Sequence, residues 1–74
     1  MTAVYRVRAH PFEKEDFIYE TFEAKSDADR FWDELIVESK VFDRIPYDTA
    51  VASYEEFCHG TWVLVTTKTV MKDE

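Results

Sequence analysis

Few residues in this chain have side chains able to do chemistry. Cys58 and His59 are adjacent, His10 is the other imidazole, Ser53 offers a hydroxyl, and Glu55 and Glu56 are acids nearby. A thiol nucleophile needs its base within hydrogen-bond reach. Neighbours on a strand point to opposite faces, so only a tight turn would join Cys58 to His59. The better reading makes Cys58 a small buried hydrophobe and His59 a turn residue. Cys58, His59, His10 and one of Glu55 or Glu56 could supply four metal donors, but no C-x-x-C or H-x-x-x-H pair seeds a site. A phosphate-cradling loop needs several glycines, and Gly60 stands alone. Asp33 and Glu34 are adjacent rather than stacked on a helix, so they form no acid–base couple. No enzymatic activity, metal or cofactor is expected.

The elements that position these residues are organised around Lys25–Lys40. Ala28, Phe31, Trp32, Leu35, Ile36 and Ser39 recur at three-and-four spacing on one face, with Asp27, Arg30, Asp33, Glu34, Val37 and Glu38 opposite. Ser26 is the expected N-cap, with Asp29 reaching back as the capping-box acid. Asp27 and Asp29 stand at the positive end of the helix dipole, and Lys40 at the negative end.

Alternation over Thr2–Ala9 predicts a first strand, broken by His10-Pro11-Phe12. Glu13 to Asp16 reads as a solvated turn, and Phe17–Ala24 as a second strand. After the helix, Val41 to Ile45 is a short apolar–polar stretch stopped by Pro46, with a turn at Tyr47-Asp48. Thr49–Phe57 reads as a strand in preference to a short helix capped by Asp48, because Glu55 and Glu56 would lie at the wrong end of such a helix. Gly60 turns the chain into Thr61–Met71, the clearest strand, and Met71 to Glu74 should fray. The fold class is therefore α+β, in the order β-β-α-β-β: a small antiparallel sheet of three or four strands with one amphipathic helix on one face. Residues 1–74 form one domain.

Composition narrows the function. Hydrophobic residues make up 46% and aromatics 16% of 74 residues, enough for a packed core. A lone cysteine excludes an internal disulfide framework and points to a reducing compartment, with the cytoplasm the default. The longest apolar run, Trp62 to Val65, falls far short of the roughly 20 residues that span a bilayer. The N-terminus lacks a signal-peptide apolar region, so the chain is expected to start directly with folded sequence. A net charge of −7 disfavours nucleic acid and anionic membranes as partners. Tyr5, Arg6, Arg8, Tyr19 and Trp62 are types that meet RNA, but the charge argues against that use.

What a bland monomer leaves unexplained is the aromatic surplus. Phe17 and Tyr19 oppose Ile18 and Phe22 in the second strand, and Trp62 and Leu64 oppose Val63, Val65 and Met71 in the last. One helix covers one face, so the other is expected to present an apolar patch to a partner or to a second copy. The expected function is a small acidic protein-binding module, an inhibitor or regulator docking through an aromatic sheet face or an edge strand. Tyr19, Tyr54 and Trp62 are the candidate anchors, and Asp33, Glu34 and Glu38 the steering charges. The alternative is an acidic mimic of nucleic acid, using Asp27, Asp29, Asp33, Glu34 and Glu38 with Glu13, Glu15 and Asp16 to occupy a basic protein.

Overall fold

A computed structural model describes residues 4–72 of the chain. Strands β1 (Tyr5–His10), β2 (Ile18–Phe22), β3 (Thr49–Cys58) and β4 (Thr61–Met71) form one antiparallel sheet in the order β2-β1-β3-β4. Helix α1 (Lys25–Trp32) continues as a wider π turn over Asp33–Val37, and a 3₁₀ turn follows at Lys40–Asp43. The order β-β-α-β-β and the α+β class are as the sequence predicts. The strand predicted over Thr49–Phe57 is formed, whereas residues 2–3 of the first predicted strand and 73–74 of the tail lie outside the described residues. Pro11 ends β1, and Phe17 returns to the sheet by donating its N–H to the Ala9 carbonyl at 2.9 Å.

One face of the sheet meets the helix. Val7 and Ala9 of β1, Ile18 of β2 and Ala50, Ala52 and Tyr54 of β3 pack with Ala28 and Leu35. The stretch after the helix is a plug. Val41 and Ile45 are both fully buried, and a hydrogen bond from the Ile45 N–H to the Val41 carbonyl holds them one above the other.

Three local expectations are corrected. The helix is not capped by Ser26: Ala24 is the N-cap, with extended backbone and no side-chain cap. Burial of Ala28 and Leu35 fixes the phase of the helix, and that tertiary contact outweighs a cap worth about 1 kcal/mol. Asp29 accordingly does not reach back to the cap; it accepts from the Tyr54 hydroxyl at 2.5 Å and pairs with Lys25 at 2.9 Å. At the other end, Ser39 adopts a left-handed φ of 59° and is exposed, so it stops the helix before Lys40 and leaves the buried stripe.

The third correction concerns β4. Leu64 pairs with Glu55 and Thr66 with Tyr54, which leaves Val65 unopposed as a bulge. An extra residue reverses the side-chain alternation beyond it. Met71, opposite Thr49, therefore shares a face with Trp62 and Leu64 instead of opposing them.

Candidate protein-binding surface

The sheet face away from the helix is built from residues two apart on each strand. Arg6 and Arg8 project from β1, Tyr19 from β2, Glu55 and Phe57 from β3, and Trp62 and Leu64 from β4, as the strand registers require. Glu55 is at the centre and nearly buried. It accepts from Arg6 Nε and, at 3.3 Å, from Arg8 Nη2. Arg8 Nε lies 3.2 Å from the same carboxylate, but too bent to be a hydrogen bond, and among the described residues it has no hydrogen-bond partner. Arg8 also faces Asp16 at 3.7 Å. The Glu55 carboxylate raises the Arg6 guanidinium above its ordinary value, against desolvation.

Aromatic rings flank these charges. The Arg6 guanidinium lies 4.2 Å over the Trp62 ring and 5.9 Å from that of Tyr19, whose hydroxyl it reaches at 3.4 Å. Phe57 meets Trp62 edge-on at 5.2 Å. Toward the hairpin tip the surface turns apolar: Phe57 and Leu64, with Val65 at the bulge, are all exposed. The tip itself is a two-residue turn with positive φ at His59 (52°) and Gly60 (83°), the type I′ geometry that matches strand twist.

The predicted interface residues fall in three places. Tyr19 and Trp62 share the open face. Tyr54 lies in the core at 5% exposure, against Tyr5 and Trp32, with its hydroxyl on Asp29, and is withdrawn as an anchor. Asp33, Glu34 and Glu38 are exposed on the outer side of the helix layer, which faces away from the open sheet, so they cannot rim the same contact. Of the helix acids, Asp27 pairs with Arg30 at 3.8 Å, Asp29 with Lys25 and Glu38 with Lys40 at 3.6 Å. Among the described residues Asp33 and Glu34 form no ion pair, which is a thin array for imitating a phosphate backbone. Tyr5 points to the helix side and so is parted from Arg6, Arg8, Tyr19 and Trp62.

No protein-family model, curated protein or solved structure matches the chain.

The chemically capable residues are dispersed. Cys58 ends β3 beside the tip, and burial, aided by Glu56, raises its thiol above the ordinary value, the opposite of an activated nucleophile. His10 pairs with Val51, seven residues and therefore about 23 Å along the strand from Cys58. Its Nδ1 is 2.7 Å from the Pro11 carbonyl. Among the described residues no three His, Cys, Asp or Glu side chains converge as a metal site would need. A cleft of about 380 Å³ between β1 and the residues after it is lined by Arg8, His10, Lys14, Glu15, Asp16 and Ser53, whose two cations and two acids offset each other.

Sequence reading missed Glu55 as the centre of the open face. The signal was present: Arg6 and Arg8, two apart on one strand, put two cations on one face, and that face needs a counter-ion.

Proposed function

We propose that the protein is a non-enzymatic protein-binding module that docks through the β3–β4 half of its open sheet face, with Trp62 as the central anchor and Tyr19 toward the rim. One observation carries this reading: Phe57 and Leu64, on the same sheet face as Trp62, and Val65 at the bulge next to them are exposed large apolar side chains gathered on β3 and β4. Apolar centres with aromatic anchors and polar margins are how protein interfaces are composed. Arg6, already paired with Glu55 and stacked on Trp62, holds that ring in place before any partner arrives, which lowers the ordering cost of binding. A reducing cytoplasm suits the lone, half-buried thiol of Cys58, and among the described residues no helix is long and apolar enough to cross a membrane.

The test is capture on the immobilised chain from a cytosolic extract, with bound proteins identified by mass spectrometry. Trp62→Ala should weaken a specific capture by about 2 kcal/mol or more, and Asp33→Asn with Glu34→Gln should leave it nearly unchanged. Capture that instead disappears on neutralising the helix acids and falls steeply with salt would favour nucleic-acid mimicry. Capture indifferent to both sets refutes the surface assigned to it.

A further inference from the structure

The two edges of the sheet are guarded very differently. β2, at one edge, is five residues long and carries Glu20, which pairs with Arg44 at 3.7 Å. β4, at the other, has eleven residues, about 36 Å of strand. Among the described residues its outer backbone groups face no other strand. Long edge strands are usually protected by charges, proline or bulges, because an open ladder is a template for another strand. β4 has no proline, one charge at Lys68, and a single bulge at Val65. Every residue of it except Trp62 and Val70 is exposed.

Charge selects the occupant. The chain carries −7 overall, with 16 acids, yet none falls between Glu56 and Asp73. The outer helix side and the connection after β1 bring acid against acid when two copies meet there. β4 against β4 does not. An antiparallel strand is also its own complement about a twofold axis, since residue i meets j while j meets i. Threonine and valine dominate β4, and both favour a paired strand.

We infer that the protein self-associates through β4, two copies joining edge to edge into one continuous antiparallel sheet with strand order 2-1-3-4-4-3-1-2. This rests on the reading of the β3–β4 half as a docking surface and names its occupant as a second copy. The joined sheet ends in β2 on both sides. Those edges are short and charged, so association closes at two copies instead of growing into a fibre. Twofold pairing also sets the exposed Leu64, Val65 and Met71 of each copy beside the other's strand.

Sedimentation of the intact chain over a range of micromolar concentrations, with hydrogen exchange read at each backbone amide, tests the inference. The mass should rise from 8.8 kDa toward twice that value, with β4 amides gaining protection as it does and β2 amides not. Val65→Lys and Thr69→Lys, both at exposed positions, should each weaken association about tenfold or more by bringing two added charges to the seam, with an unchanged monomer melting temperature. A chain that stays monomeric, or a dimer indifferent to both lysines, overturns self-pairing. If the chain stays monomeric while its capture of a different protein is lost in the lysine variants, self-pairing falls and the docking reading stands. If there is neither self-association nor Trp62-dependent capture, both fall.

Discussion

On the helix side of the sheet, β1 and β3 present Val7, Ala9, Ala50 and Ala52, all fully buried; on the other side the same two strands present Arg6, Arg8 and Glu55, with Trp62 and Tyr19 lying over the charges. On the closed side Ala9, Ala50 and Ala52 lie in one core with Ala28 of the helix, and Tyr54 packs with Tyr5 and Trp32. The open side uses large residues that spread flat. Aromatic content is therefore a poor measure of core size here, since Phe12, Phe17, Tyr19, Tyr47 and Phe57 are all exposed. What distinguishes the faces is how their polar groups are satisfied. At the margin of the closed side Tyr54 meets Asp29 and Arg44 faces Glu20, whereas the open side is centred on an ion-paired carboxylate.

The widest gap between the faces should show in truncations. Leu35→Ala removes a core side chain that is 2% exposed and should cost about 3 kcal/mol, read as a lower midpoint in urea with little change in slope. An effect below about 1 kcal/mol would mean that the helix is not what closes that face.

A smaller but diagnostic loss is expected on the open face. Glu55→Gln leaves Arg6 and Arg8 without their shared counter-charge and should cost about 2 kcal/mol, less than the loss of a fully buried partner because the guanidinium of Arg8 is partly in water. Replacing all three, with Arg6→Leu and Arg8→Leu beside Glu55→Leu, should recover much of that loss in a thermal melt. Failure to recover it would show that the charges stabilise the sheet directly.

The smallest effect belongs to the contact of Tyr54 with Asp29 on the closed face and is best seen by varying pH. The Tyr54 hydroxyl, followed by Lys25, lowers the Asp29 carboxyl below its ordinary range. A carboxylate depressed in the folded state adds stability that is present above its unfolded value, near 4, and is lost as pH falls through the folded one. Thermal melts of Asp29→Asn should therefore match wild type more closely as pH falls through the acid range. Equal pH dependence in the two proteins would exclude the contact from acid unfolding. Tyr54 supplies the alkaline counterpart: burial, then Asp29, raises its phenol, so that share of stability is present below about 10 and lost as pH climbs through the raised value.

Much of this fold was legible along the chain because it is written in short-range period. Three-and-four spacing marks Ala28, Phe31, Trp32 and Leu35 as one helix face; alternation marks β1; and Gly60 marks the turn that pairs β3 with β4. Tyr54 shows where such reading stops. Its type suits a binding surface and a core equally, and only the pairing of Tyr54 with Val7 turns it to the helix side.

The amino-acid order by itself determined the elements, their sequence along the chain and the amphipathic face of the helix, since each depends on residues within one or two turns of each other. Tertiary structure alone decided that Glu55 serves two arginines 49 and 47 residues away, that Ala24 begins the helix, and that Met71 joins the face of Trp62. The last follows from the bulge at Val65. One unpaired residue inverts every side chain beyond it, and whether a strand takes that extra residue depends on its partner's register, which no local pattern in the strand encodes.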